Sequence, residues 1–284
     1  MTGSPIMRPY VPTNDVSAPE LAKALKGVAV IIPARMAASR LPGKPLEMIG
    51  DAPMIVQVMR RAWEAGFGQD THQSRVIVAC DDQRIADAVT EHGGEAVLTD
   101  PDHPSGSDRV YEALMAIDPE GAIDTVINLQ GDLPDIDARI LLPLVTALRE
   151  NKADIATPVA PAHDHEIPLP QVVKAVVALP ETNDQSSRAG AVGPVLYFSR
   201  QPIPHGGGSA DMPIWHHVGI YAWSRQALAK FVTLPPSPLE KTEKLEQLRA
   251  LENGMSIVAL VVDSAPGGVD TPEDLDAARR RMKQ

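Results

Sequence analysis

The chain has 284 residues and a formal net charge of −11, and its pI near 5.2 argues against non-specific nucleic-acid binding, which needs a basic face. With 44% hydrophobic and 22% charged residues, wholesale disorder is excluded too, and no apolar run reaches the roughly eighteen residues of a membrane span. Cys80 is the only cysteine, so no internal disulfide can form and a reducing compartment such as the cytoplasm is expected.

Residues 1–27 hold Pro5, Pro9, Pro12 and Pro19 and lack the apolar core of a signal peptide. They read as a loose N-terminal tail, with a short helix where Ser17 and Glu20 form a capping-box pattern before "LAKALKG". From there, residues 28–284 read as a single domain. "GVAVIIPAR" is a buried strand, and Ala52 to Gly66 has helical spacing at Ile55, Val58, Met59 and Ala62. "RVIVAC" is a strand, "DDQRIADAVTEHGG" a helix, "EAVLT" a strand, and Ser105 to Ile117 a helix. "DTVINLQGD" is a strand, followed by a helix over Ile136 to Glu150. This alternation predicts an α/β fold, a Rossmann-like, mostly parallel mixed sheet flanked by helices.

Between about residues 160 and 235 the pattern becomes strand-rich. "DIATPVA", "QVVKAVVAL", "PVLYFSR" and "HHVGIYAWS" are strands joined by polar or Gly-rich loops, among them "NDQSSRAGAVG" and "HGGGSADM". They read as an extension of the same sheet. Ser237 to Gly254 reads as one helix with Ser237 as N-cap, Pro238 in the first turn and Glu240 closing a capping box. "SIVALVVD" is a strand, and Thr271 caps a last helix running to Met282.

Ligands of such sheets sit beyond the carboxyl ends of the strands. There, "IIPARMAASRLPGKPL" (Ile31 to Leu46) gathers three cations in an acidic chain. It is not a Walker A loop, because Ala38 stands where the first glycine is needed and Pro45 follows Lys44. No G-x-G-x-x-G occurs, which disfavours a dinucleotide oxidoreductase. Arg35, Arg40 and Lys44, with small residues between them, can wrap a polyphosphate.

That loop, followed in order by "HPSGSDRV", "NLQGDLP", "LYFSRQPIP", "HHVGIYAW", "PSPLEKTEKLEQLR" and "GVDTPEDL", resembles the sugar-acid cytidylyltransferases, and among them the branch acting on 3-deoxy-manno-octulosonate (KDO). The resemblance runs from about Val28 to the C-terminus. It implies a nucleotidyltransferase that converts CTP and KDO to CMP-KDO and pyrophosphate for lipopolysaccharide, with Mg²⁺ as cofactor, as a homodimer in the cytoplasm, with no nucleic-acid partner and no membrane insertion. By the same resemblance Arg35 and Lys44 contact phosphate with Arg40 beside them, and Asp132 and Asp270 are the magnesium ligands and, with Arg35 and Lys44, the catalytic set. Ser105, Gly106, Arg109 and Gln130 line the nucleotide pocket. His217, Tyr221, Glu246, Gln247 and Arg200 face the sugar acid.

The family pattern after the glutamine is G-D-E-P, and here Leu133 takes the glutamate's place. That departure leaves two alternatives open: activation of another sugar acid (8-amino KDO or a nonulosonic acid), or a non-catalytic nucleotide-binding protein on the same fold. His163 and His165 have no cysteine nearby and no supporting carboxylate pattern beyond Asp164, which argues against a zinc site, and Cys80, ending an apolar strand, reads as buried.

Overall fold

The computed structural model describes residues 18–37, 40–70, 73–179, 188–209 and 212–282. The expected cap Ser17 with the tail before it, Ala38 of the cationic loop, and residues 183–187 and 210–211 of the two polar loops lie outside the described residues.

The chain opens with α1 (Ala18–Leu25) and β1 (Val28–Ala34), then a one-turn 3₁₀ helix (Lys44–Leu46) and the small hairpin β2 (Met48–Ile49) and β3 (Ala52–Pro53). Next come α2 (Met54–Glu64), β4 (Ser74–Cys80), α3 (Gln83–Glu91), β5 (Glu95–Leu98), α4 (Gly106–Ile117), β6 (Thr125–Asn128) and α5 (Leu141–Glu150). The second half holds β7 (Ile155–Pro161), β8 (Lys174–Val177), β9 (Val192–Ser199), β10 (Trp215–His217), β11 (Tyr221–Ser224) and α6 (Arg225–Val232). It closes with α7 (Pro238–Glu243), α8 (Gln247–Glu252), β12 (Ile257–Val261) and α9 (Pro272–Arg281).

Ten strands form one mixed sheet in the order β10-β8-β9-β12-β7-β11-β6-β1-β4-β5. Parallel pairing is confined to the block β5-β4-β1-β6 and to β7-β12. The expectation of a mostly parallel sheet therefore holds for the first half alone, where each strand returns through a helix. The strand-rich half joins the same sheet by antiparallel pairs. Because β10 also pairs with β7, the strands β7-β12-β9-β8-β10 close into a ring. "HHVGIYAWS", expected as one strand, breaks at Val218–Ile220 into β10 and β11. Its halves run along the same edge of β7 and then diverge, β10 to β8 and β11 to β6.

Successive residues of β1 point to opposite faces, as a strand must. Val28, Val30 and Ile32 enter a core with α2, α3 and α5, while Ala29 and Ile31 enter one with α4, α6 and α8. Both faces are thus covered, which is why β1 and β4 read as near-continuous apolar runs. A third, smaller cluster of Leu41, Ile49, Met54, Val269, Leu275 and Ala278 ties α9 to the loop after β1.

Three further boundaries differ from expectation. The segment 18–27, assigned to the tail, docks: Leu25 is buried in the core and Arg149 donates to the carbonyls of Ala24 and Lys26. The helix expected from Ile136 starts at Leu141, after a 3₁₀ turn (Ala138–Ile140) whose first free N–H is capped by Asp137. The helix expected from Ser237 to Gly254 is two helices. Lys244 stands between them in the left-handed region at φ 55°, and Leu245 turns into the core.

Candidate active site

The site is built at the carboxyl end of β1. In the parallel register Ala34 is level with Cys80 of β4, so the residues that follow, Arg35 and Asp81, emerge side by side. The Met36 N–H donates to Asp81 Oδ1 at 3.0 Å. The loop then drops Leu41 into the small third cluster, and Gly43, at φ 75°, turns the chain into the 3₁₀ helix that begins with Lys44. These anchors aim the Lys44 ammonium across the cavity. Nζ donates to Asp132 Oδ2 at 2.8 Å, to the Val269 carbonyl at 2.8 Å and to Asp270 Oδ1 at 3.1 Å. Arg40 donates to the other oxygen of Asp270 at 2.8 Å.

The two aspartates come from opposite ends of the chain. Asp132 follows β6 on a turn that lies against β1, and a Cβ on Gly131 would sit 2.8 Å from the Pro33 carbonyl oxygen. Only glycine allows that approach. Asp270 precedes α9, whose start is fixed by a reciprocal capping box between Thr271 and Asp274. The Val269 N–H donates to the Asp132 carbonyl at 3.0 Å, which binds the two loops together.

Between them opens a cavity of about 320 Å³, lined by Arg35, Arg40, Lys44, Ser105, Gly106, Arg109, Gln130, Asp132 and Asp270. Every residue expected at the nucleotide and the metal is therefore brought to one place. Ser105 caps α4, accepting from the Asp108 N–H and donating to its carboxylate, so the helix start faces the cavity. Gln130 donates to Asn128 Oδ1. Arg109 is only 4% exposed and donates to Thr99 Oγ1. Arg40 and Lys44 are paired with carboxylates, whereas Arg35 is exposed and makes no hydrogen bond or ion pair among the described residues. An anion entering the cavity would meet that unpaired guanidinium.

The residues expected at the sugar acid lie apart from the lining but adjoin it. Glu246 is half-buried beside Ser105 and Ser107 with its Oε1 enclosed, and desolvation pushes its carboxyl above the usual range. Tyr221 lies near Glu246, and burial raises its phenol. The His217 ring stands 5.5 Å from that of Tyr221 and 4.8 Å from that of Phe198. Its Nε2 hydrogen-bonds Thr157 Oγ1 at 2.9 Å, and burial holds its pKa down at about 3. Glu246 Oε1 and Gln247 Nε2 are buried without hydrogen-bond partners. An unpaired acceptor and donor on neighbouring residues are what a polyhydroxy ligand could satisfy. Arg200 is not brought to this group: its guanidinium is used on the carbonyls of Pro170, Glu243 and Lys244.

Leu133 is turned away from the cavity. It is 7% exposed and belongs to the core shared with α2 and α5. Cys80 is buried, and desolvation raises its thiol to about 11, which removes it as a nucleophile. Sequence reasoning missed Asp81, His103 of the cavity wall and the Val269 carbonyl. The position of Asp81, first after a strand at the ligand edge of the sheet, was an available signal.

Residues 29–257 match the family described as cytidylyltransferase. The chain is 54% identical over 258 residues to a 3-deoxy-manno-octulosonate cytidylyltransferase of Bradyrhizobium sp. (strain ORS 278), covering 90% of this chain and 98% of that protein. It is 50% identical over 256 residues to the enzyme of the same name from Paramagnetospirillum magneticum, covering 89% and 97%. Among solved structures it is similar to a CMP:2-keto-3-deoxy-manno-octonic acid synthetase complexed with CTP, with a TM-score of 0.78, 38% identity, and coverage of 90% of this chain and 98% of that one.

Proposed function

The chain belongs to the cytidylyltransferase family, and from that premise we propose that it is a nucleotidyltransferase converting CTP and KDO to CMP-KDO and pyrophosphate, the activated sugar of lipopolysaccharide assembly. The observation that carries this is the single cavity in which Arg35, Arg40 and Lys44 meet Asp132 and Asp270.

The anomeric hydroxyl of KDO attacks the α-phosphorus of CTP; the new O–P bond forms as the bond to the β-phosphate oxygen breaks, and the hydroxyl proton is released. Little covalent chemistry falls to the protein, so its work is positioning and charge neutralisation. Arg35 is free to take a phosphate, and Arg40 and Lys44 stand where they can follow. The start of α4, with Ser105 and Gly106, offers N–H groups to the nucleotide. His217, neutral at physiological pH, serves the sugar acid as a hydrogen-bonding group and not as a cation. Tyr221, Glu246 and Gln247 surround the same face.

The residues present fit Mg²⁺. Asp132 and Asp270 already converge on one cationic centre, the Lys44 ammonium, from 2.8 and 3.1 Å, and magnesium prefers such hard oxygen donors with phosphate oxygens and water completing its shell. When bound there it would neutralise phosphoryl charge and acidify the attacking hydroxyl.

A homodimer in the cytoplasm completes the proposal. It is supported by the family resemblance and by consumption of CTP, a cytoplasmic metabolite. Pyrophosphate release from CTP and Mg²⁺, run in parallel with KDO, 8-amino KDO and a sialic acid, tests the reaction. Turnover with KDO is expected; turnover only with another acid would overturn the substrate. Sedimentation at micromolar concentration should give twice the chain mass, and a monomer would refute the dimer.

A further inference from the structure

Asp81 lies outside the cavity lining, yet it touches both elements that must grip a triphosphate. Its Oδ1 accepts the Met36 N–H at 3.0 Å, one residue after the cation Arg35. Its Oδ2 faces Arg109 Nη2 at 3.8 Å, with side-chain exposures of only 10% for Asp81 and 5% for Arg109. The opposite nitrogen of Arg109, Nη1, donates to Thr99 Oγ1 at 2.5 Å, and Thr99 Oγ1 donates in turn to the Cys80 carbonyl at 3.1 Å. The carboxyl ends of β1, β4 and β5 and the first turn of α4 are thus joined through one carboxylate and one guanidinium.

A guanidinium buried this deeply needs a compensating charge. No carboxylate closer than Asp81 pairs with Arg109 among the described residues. The same carboxylate fixes the direction in which the cationic loop leaves β1, because holding the Met36 N–H at the loop's start aims the residues that follow.

We propose that Asp81 is a positioning residue for the nucleotide: it holds Arg109 in the cavity wall and sets the departure of the loop bearing Arg35, Arg40 and Lys44. This rests on the reading of the cavity as the CTP site. Asp81 makes no contact with the reacting atoms in this assignment; it acts through Arg109 and the Met36 amide.

Two substitutions separate its two contacts. Asp81→Asn keeps an acceptor for the Met36 N–H and removes the charge facing Arg109. Asp81→Ala removes both. The readouts are CTP binding by calorimetry with Mg²⁺ and no sugar acid, and steady-state pyrophosphate release. Asp81→Asn should weaken CTP binding about tenfold, with the loss in kcat/KM carried by KM. Asp81→Ala should also lower kcat by about 100-fold, as the misaimed loop no longer aligns the phosphates. If Asp81 contributed only its negative charge near an anion site, Asp81→Asn would tighten CTP binding, and that result would overturn the proposal. So would unchanged CTP affinity and turnover per folded protein in both variants, even with a lowered Tm, since that pattern marks a purely structural carboxylate. Wild-type protein that bound no CTP would remove the reading beneath the proposal together with it, whereas wild-type turnover with unaltered variants would remove the proposal alone.

Discussion

The Lys44 ammonium satisfies Asp132 and Asp270 at once, and this predicts what its removal does. Lys44→Met leaves Asp132 without its cation and Asp270 with Arg40 alone. A divalent ion should then bind more tightly in the absence of nucleotide, read as a higher Mn²⁺ affinity by electron paramagnetic resonance, while turnover falls about 100-fold for want of a phosphate-binding cation. Unchanged Mn²⁺ affinity would show that the lysine does not compete for that position. His217 supplies a second prediction, of pH dependence. Burial lowers its pKa from 6.5 to about 3, so the folded state disfavours the proton that the unfolded chain accepts. Its contribution to stability is complete above pH 6.5 and is lost as the pH falls toward 3. Thermal melts of His217→Gln should therefore lose Tm less steeply than wild type across that interval; parallel slopes would contradict the burial. At this scale the cations of the phosphate loop were legible, since three basic residues after an apolar strand in an acidic chain need a reason. The position of Asp81 after β4 was readable but its partners were not, because Met36 and Arg109 become its neighbours only when β1, β4 and α4 are assembled.

The break between α7 and α8 shows why helix boundaries were harder to read than helices. Capping signals at Ser237 and Gly254 are intact at both ends of the segment, and nothing local announces the left-handed Lys244 between them. The cause is remote. Arg200, from the end of β9, holds the carbonyls of Glu243 and Lys244 while Leu245 enters the core, and this turn encloses Glu246 Oε1 and Gln247 Nε2 where one continuous helix would run on past them. Arg200 thus braces the turn that precedes Glu246 and Gln247. Arg200→Ala should destabilise the protein by about 2 kcal/mol and raise KM for KDO with little change in KM for CTP. An equal rise in both would place its effect on the whole fold, and no rise in either would refute the link to Glu246 and Gln247. The alternation of strands and helices through residue 150 was readable because each apolar run has its own period.

Across the whole molecule, one sheet carries the cationic cavity at the parallel block and the sugar-acid candidates where β10 and β11 diverge along β7. The parallel block was legible from strand–helix alternation, but the ring β7-β12-β9-β8-β10 was not. Antiparallel partners such as β12 and β9 are set by long-range register, which no local pattern records. The substitution of Leu133 for the family's glutamate looked like a change to the site and proves to be a change in the core, so it supplies no ground for a lost activity. The Val269–Asp132 hydrogen bond and the cluster around Leu41 and Leu275 bring Asp132 and Asp270 together from distant parts of the chain. The most direct test is pyrophosphate release from CTP and KDO with Mg²⁺, measured for wild type, Asp132→Asn and Asp270→Asn beside their CTP affinities. Wild-type turnover that falls by about 100-fold or more in each variant, with KDO the preferred acceptor, is the predicted result. Tight CTP binding by wild type with no pyrophosphate released, or turnover indifferent to both aspartates, would contradict it.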